Sequence, residues 1–174
     1  MELSYKSKLS TQSKILTLLL NLAIIYICYI LLFRDDLLKS TNQPPQNIKY
    51  LLVFILLIAF TLAYILHPIK YILTDEHLGI EKPFFTTKIA LNLIENLKQI
   101  NYEDLAIRSR LFASGGIWGY FGIYYSSNFG KINMNVSNFN NLVLIVTKSK
   151  KIIIISPENP SDFVNKIKLN LSNL

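Results

Sequence analysis

The sequence predicts a membrane α-hairpin of two transmembrane helices, followed by a mainly β sandwich or barrel that a C-terminal α-helix closes. Three observations predict this fold class. Two apolar runs lie close together before residue 70, short segments rich in Ile, Val, Tyr and Phe then alternate with turn residues, and the chain ends in a helical apolar pattern. At 174 residues the chain has room for the hairpin and one domain of about a hundred residues.

The two apolar runs predict the hairpin. Residues 15–33 carry no charge and are about as long as a helix rising ~1.5 Å per residue needs to cross a ~30 Å hydrocarbon layer. Residues 51–66 form a shorter run, but uncharged neighbours extend it to residues 50–69. The polar gap between the runs is too short for a domain. We therefore predict an N-terminal tail and hairpin over residues 1–69, with helices at about residues 15–33 and 50–69.

The first run does not have the pattern of a cleaved signal peptide. The apolar region of a signal peptide has ~7–15 residues and ends at a small-residue cleavage site. This run is longer and ends in Leu32, Phe33 and Arg34. We therefore expect it to be retained as a membrane helix.

The positive charges around the hairpin predict its orientation. Three lysines precede the first helix, and three basic residues lie in the loop, so these two counts are equal. Further lysines follow the hairpin at Lys70, Lys82 and Lys88. Because cytoplasmic segments carry the excess of Lys and Arg, we predict an integral, multi-pass protein of the plasma membrane with both termini cytoplasmic.

The polar residue Asn21 interrupts the first apolar run. An amide in hydrocarbon needs a hydrogen-bond partner, which Thr61 of the second helix or a partner subunit could supply. Packing within the hairpin is the preferred interpretation, and contact with a partner subunit is the alternative.

The part of the chain from residue 70 to residue 174 predicts the β domain. Residues 142–147 and 151–155 flank Lys148, Ser149 and Lys150 and form the clearest hairpin. Phe163, Val164, Ile167 and Leu171 then place an apolar face on a helix at about residues 160–171, with Pro160 in its first turn. The other predicted strands cover residues 71–74, 78–82, 88–91, 94–100, 107–112, 118–126 and 131–136.

Four short segments of this domain resemble a known family. They are residues 71–80 (YILTDEHLGI), 93–97 (LIENL), 116–122 (GIWGYFG) and 156–163 (SPENPSDF). In order and spacing they are similar to the bacterial pleckstrin-homology-like (PH-like) domains that often follow transmembrane helices. The resemblance covers about residues 70–169. It implies a sandwich of about seven strands sealed by a C-terminal helix at a membrane, and it implies no reaction.

An aromatic cluster is the candidate interaction surface. Alternation along a strand places Trp118, Tyr120 and Tyr124 on one face, and Phe121 and Tyr125 on the other. Both faces are therefore aromatic. One interpretation is a core face backed by an exposed patch that dips into the membrane interface or docks a partner. The other is that both faces serve core packing and cross-strand pairing.

Basic residues are candidates for contact with lipid headgroups. The formal charge of +7 is spread along the chain, whereas a nucleic-acid-binding domain gathers its basic residues on one face. Anionic lipids beside the tethered domain are the expected partners of this charge. The candidates are Lys82, Lys88, Arg108 and Arg110.

No set of residues predicts catalysis or metal binding. The glycines of residues 115–122 lack the GxGxxG spacing and the Gly-Lys-Ser/Thr sequence of phosphate loops. His67 and His77 have no nearby carboxylate or cysteine at ligand spacing, and Cys28 is the single cysteine. We expect no enzyme activity, no cofactor and no bound metal.

These observations predict a non-enzymatic integral membrane protein. Its PH-like domain would stand at the membrane surface and bind a protein, a peptide or a second copy of the chain, with the lipid bilayer as its other partner and no nucleic acid. The alternative is an accessory subunit of a membrane transporter or stress-signalling complex, in which the transmembrane hairpin is the functional surface.

Overall fold

A computed structural model describes residues 2–34 and 45–172 of the chain. Lys39, which entered the charge count in the loop, and residues 173–174 of the predicted domain lie outside the described residues. The N-terminal part of the chain contains two long helices, α1 (Thr11–Phe33) and α2 (Gln46–Leu66). Both are long and apolar enough to cross a membrane.

Each of these helices has bounds that differ from the apolar run that predicted it. α1 begins at Thr11 because the Ser10 side chain accepts a hydrogen bond from the Ser13 main-chain nitrogen at 3.1 Å and caps the helix. α2 ends at Leu66 because His67 precedes Pro68, and the residue before a proline disfavours helical geometry. Asn21 donates its amide hydrogen to Thr17 O within α1 at 2.8 Å, so this hydrogen bond stays inside the helix and does not reach Thr61.

The first β-sheet has four antiparallel strands in the order β1-β2-β3-β4. Its strand β1 (Leu3–Lys6) lies before α1, in the segment predicted as a tail. Leu3 pairs with Leu73 and Lys6 with Lys70, so β1 and β2 (Lys70–Leu73) flank the helical hairpin in sequence and meet in space. The other two strands are β3 (His77–Glu81) and β4 (Thr86–Ala90), and a single 3₁₀ turn (Leu91–Leu93) follows them.

The second β-sheet has six strands in the order β5-β9-β10-β8-β7-β6. β10 runs parallel to β8, and the other pairs are antiparallel. A short helix, α3 (Tyr102–Leu105), connects β5 to β6. The strands are β5 (Ile94–Ile100), β6 (Ile107–Gly116), β7 (Gly119–Ser126), β8 (Gly130–Val136), β9 (Leu142–Thr147) and β10 (Ile152–Ile155).

The predicted fold class is confirmed, with more strands than expected. Ten strands occur among the described residues, against about seven implied by the family resemblance; β2 to β10 correspond to the nine predicted strand segments, and β1 is additional. The additional strand, β1, comes from the N-terminal segment. Its four residues, LSYK, are too few to show a strand pattern in the sequence. The predicted closing helix is present as α4 (Pro160–Ser172).

The core lies on both faces of the second sheet. Val143 and Ile145 of β9 pack in a cluster with the first sheet and α4. Leu142 and Leu144 of the same strand point the other way, into a second cluster that Leu105 of α3 joins. Because both faces of β9 are buried, apolar residues are needed at successive positions. This explains its LVLIV sequence.

The N-terminal segment ties the start of α1 to the β domain. The main-chain nitrogen of Ser7 donates to Ile69 O at 2.9 Å, and that of Ser10 donates to Ser137 O at 3.1 Å. Ion pairing of Lys8 with Glu158 adds a side-chain link. The first turn of α1 and the end of α2 therefore meet the β domain at the same end.

Candidate functional site

The β6–β7 hairpin reaches from the β domain onto the two long helices. A two-residue turn, Ile117 and Trp118, connects the strands, and Gly116 pairs with Gly119 at its base. Gly119 has a φ of 112°, and a Cβ there would lie 2.8 Å from Val136 O. Only glycine suits this position, because it combines a left-handed φ with a close main-chain approach.

Trp118, at the tip of this hairpin, packs against the last two turns of α2. Its ring centroid lies 6.2 Å from that of Phe60, 5.2 Å from that of Tyr64 and 5.6 Å from that of His67. The Trp118 main-chain nitrogen donates to Thr17 Oγ1 of α1 at 3.0 Å. Trp118, a residue of the predicted interaction surface, therefore contacts the helical hairpin of its own chain.

The polar groups at the tip, except for the indole nitrogen of Trp118, find partners within the protein. Ser114 Oγ lies 2.7 Å from Ile117 O and 3.2 Å from Gly119 O, and Thr17 accepts from Trp118. Buried polar groups need such partners, because an unpaired polar group away from water is costly. The indole Nε1 of Trp118 is buried and has no hydrogen-bond partner among the described residues.

The remaining aromatic residues do not form one exposed patch. Phe121 is 4% exposed and Tyr124 is 1% exposed, so both side chains are buried. Tyr120 stacks on Phe139 with ring centroids 4.2 Å apart, and Tyr125 is 46% exposed. The alternation predicted for this strand leads Tyr124 into the second core cluster. Four of the five residues therefore pack against other parts of the chain, and Tyr125 is exposed.

Burial also sets the protonation of Tyr124. Removal from water raises the pKa of Tyr124 to about 12, although the nearby Arg110 charge acts in the opposite direction. The Tyr124 hydroxyl donates to Ser114 O and thereby joins β7 to β6. Tyr124 is thus a neutral structural residue.

A groove of about 610 Å³ lies between α2 and the β6–β7 hairpin. From α2, four small or apolar residues line it: Ala59, Leu62, Ala63 and Leu66. From the hairpin, Leu111, Phe112, Ile117 and Phe121 line it, together with Arg110, Ala113, Ser114 and Gly122. The groove is apolar along both walls, with Arg110 as its one charged residue.

Several exposed apolar residues surround this end of the domain and were not predicted as site residues. In β6, Leu111 is 59% exposed and Phe112 is 77% exposed. In the β3–β4 turn, Phe84 is 74% exposed, and this turn follows Glu81, whose carbonyl accepts from Ile69 just after α2. Two sequence signals could have indicated these residues. One is the pair of aromatic residues that follows the proline of the β3–β4 turn. The other is the adjacent apolar pair of Leu111 and Phe112 at a β-bulge, where the register shifts between Arg110 and Phe112.

The four basic candidates are placed apart. Lys82 lies with its Nζ 5.1 Å above the Phe85 ring, and burial lowers its pKa. Lys88 is exposed on β4, and the Arg108 side chain donates to Ser127 Oγ. The Arg110 guanidinium lies over Gly115, where a Cβ would collide with it. Of the four, Arg110 alone lines the groove.

The titratable residues form no metal-binding group. Within residues 2–34 and 45–172, no cluster of three or more His, Cys, Asp or Glu side chains is present. His67 packs beside Trp118, and His77 hydrogen-bonds to Thr74 Oγ1 at 3.0 Å. Both histidine side chains therefore contact other side chains of the protein.

Comparison with known proteins agrees with the observed architecture. No curated protein and no solved structure matches the chain. The family model described as "Bacterial PH domain" matches residues 69–171, which is more than half of the 174 residues. The match begins just after α2 and ends within α4, so it covers both sheets except for β1. The chain therefore belongs to the bacterial PH domain family.

Proposed function

We propose that this protein is a non-enzymatic integral membrane protein that holds its PH domain at the membrane surface to bind a protein, a peptide or a second copy of itself. One observation carries the proposal. The β domain is packed onto the helical hairpin through Trp118, which contacts Phe60 and Tyr64, and through the main-chain bond to Thr17. A domain held in this way has a defined orientation relative to the bilayer. The same sheet edges are therefore always presented to a partner.

The edge of the first sheet is the surface that best suits such a partner. β4 is an edge strand, and its Thr86, Thr87 and Lys88 are exposed. Beside it, a groove of about 220 Å³ is lined by residues of both sheets, including Thr87, Ile89 and Ile123. An extended peptide can add to an exposed strand edge through main-chain hydrogen bonds and place alternate side chains in adjoining pockets. Lys88 on this edge favours an acidic segment.

Photo-crosslinking in native membranes tests this function. A photoreactive residue at Thr87 should give a discrete crosslinked product, whose mass distinguishes a second copy from another protein. The same residue at Asn165, which is exposed on α4, is the matched control and should give none. Lys88→Glu should weaken the Thr87 product, because it reverses the charge beside the edge. Absence of any product at Thr87, or an equal product at Asn165, would contradict the proposal.

The alternative role as an accessory subunit requires the outer faces of the hairpin to be the functional surface. Exposed residues such as Ile25 on α1 and Phe54 on α2 would then contact the larger complex. Replacing these outward residues by leucine, while Thr17 and residues 59–67 stay unchanged, keeps the domain packed. Loss of biological function in that variant would favour the accessory role over the PH domain role.

A further inference from the structure

We propose that the groove between α2 and β6 binds one membrane phospholipid, with an acyl chain along α2 and the phosphate of an anionic headgroup at Arg110. The inference rests on the proposed insertion of the hairpin in the membrane. It concerns a different surface from the β4 edge, and its ligand is a lipid of the surrounding leaflet.

The helix wall of the groove has the shape that an acyl chain needs. Ala59, Leu62, Ala63 and Leu66 follow the i, i+3, i+4, i+7 spacing and so form one stripe along α2. The two alanines leave a depression between the leucines. The volume of about 610 Å³ lies within the ~300–1,000 Å³ typical of small-molecule sites.

The position of the groove along α2 decides which ligand reaches it. The tip residue Trp118 packs against Phe60, six positions before the end of α2 at Leu66. Trp118 also contacts His67, so at ~1.5 Å per residue its contacts extend from the end of α2 to roughly 9 Å along the apolar helix. Leaving apolar walls against water is unfavourable by ~25 cal/mol per Å². The acyl chains that surround α2 at this depth would cover these walls, so a lipid is the ligand that suits the groove.

The lining of the groove includes a positive charge, which is the sign that attracts a phosphate. A guanidinium offers planar donors that match a phosphate, and Arg110 is the charged residue of the lining. Gly115 leaves room for this guanidinium along the strand, since any side chain there would displace it. Arg108, two residues earlier, is instead bonded to Ser127.

The exposed apolar residues at the rim fit the same environment. Leu111 and Phe112 line the groove and are largely uncovered on β6, the edge strand of the second sheet. Large apolar side chains grouped on a surface mark contact with another molecule or with a membrane. Their continuity with the lipid-facing side of α2 identifies that contact as the bilayer.

The test measures phospholipid bound to the full chain. The protein is purified in a mild detergent, stripped of lipid, and incubated with phosphatidylglycerol or phosphatidylcholine, and native mass spectrometry counts the bound molecules. We expect one phosphatidylglycerol per chain. Ala63→Phe fills the groove and should remove most of this binding. Ala23→Phe is the matched control, because Ala23 is exposed on α1 and it should bind as the wild type does.

Two further variants test the headgroup. Arg110→Gln should lower the preference for phosphatidylglycerol over phosphatidylcholine roughly tenfold, the effect of losing a charge-assisted hydrogen bond. Arg108→Gln is its control and should leave the preference unchanged. Fluorescence of Trp118, the single tryptophan of the chain, reports whether each variant is folded. Should Ala63→Phe fail this check, Ala59→Phe fills the same groove.

The outcomes separate this inference from the proposed function. Equal lipid binding by the wild type and by the folded groove-filling variant would overturn the lipid site, as would equal loss in Ala23→Phe. A wild type that resists alkaline extraction from membranes yet binds no phospholipid would also overturn it, while leaving the membrane anchor intact. Release of the wild type by alkaline extraction would instead overturn the membrane insertion on which both depend.

Discussion

At the scale of single residues, the Tyr71 side chain connects several elements of the structure through its hydroxyl group. Its side chain is fully buried, and its hydroxyl donates to Asn135 O at 2.7 Å while accepting from the Ser156 main-chain nitrogen at 3.1 Å. Ser7 Oγ lies 3.0 Å from the same hydroxyl. Burial raises the pKa of Tyr71 and keeps it neutral. One hydroxyl thus links β2, β8, the end of β10 and the segment before α1.

Tyr71→Phe should lower the free energy of unfolding by about 1–3 kcal/mol, because buried polar groups would lose their partner. Thermal unfolding of the full chain in detergent, followed by circular dichroism, measures the change. Tyr125→Phe, at an exposed position of β7, should change the free energy by less than about 0.5 kcal/mol. Equal stability of the two variants would show that the Tyr71 hydroxyl has no stabilising role.

At the scale of elements, the β6–β7 hairpin is the part that joins the domain to the helices. Its strands share one of the longest ladders in the protein, from Ile107–Ser126 to Gly116–Gly119. The tip contacts α1 through Thr17 and α2 through the aromatic residues around Trp118. Ser13 and Thr17 are buried on α1 although the rest of that helix is largely uncovered. The hairpin therefore acts as a brace between the domain and the two long helices.

Trp118→Ala should loosen this brace while the two sheets remain folded. Loss of the ring removes the contacts with Phe60, Tyr64 and His67, so the tip opens more often. We expect hydrogen exchange of the main-chain amides in residues 114–119 to accelerate about tenfold or more. Tyr125→Ala, at the opposite end of β7, should leave exchange at the tip unchanged. Unaltered exchange in Trp118→Ala would mean that other contacts hold the hairpin on α2.

At the scale of the whole molecule, β1 constrains the arrangement of the chain relative to a membrane. β1 precedes α1 and pairs with β2, which follows α2, so the N-terminal segment and the PH domain belong to one body. If both helices cross the bilayer, the two ends of the hairpin must lie on the same side. The lysine counts then predict that this side is the cytoplasm.

Cysteine labelling in intact cells tests this arrangement. In a Cys28→Ser background, cysteines at Glu2 and Asn165 should react with a membrane-impermeant maleimide only after lysis. A cysteine at Asn47, exposed at the start of α2, should react in intact cells. Labelling of Glu2 and Asn165 on different sides would contradict the pairing of β1 with β2 in the membrane. Labelling of both before lysis would reverse the predicted orientation.

Local patterns account for the parts that could be predicted. The apolar runs of α1 and α2, the hairpin around Lys148–Lys150 and the apolar face of α4 each lie within about 25 residues, so the sequence carries their full signal. β1 could not be predicted, because it is short and because its partner strand β2 lies beyond the whole helical hairpin in the sequence. The groove was missed for the same reason, since residues 59–66 and 110–122 come from separate elements.

By itself, the sequence determined the order and kind of the main parts of the chain, although not of β1: two membrane-length helices, a β domain of the bacterial PH family and a closing helix. Periodicity and length express these features, because each depends on near neighbours in the chain. Only the tertiary structure decided that Trp118 packs on α2, that Tyr124 is buried and that Arg110 meets an apolar groove. An aromatic strand suits a core, a membrane or a partner equally well, and the choice depends on which distant element covers it.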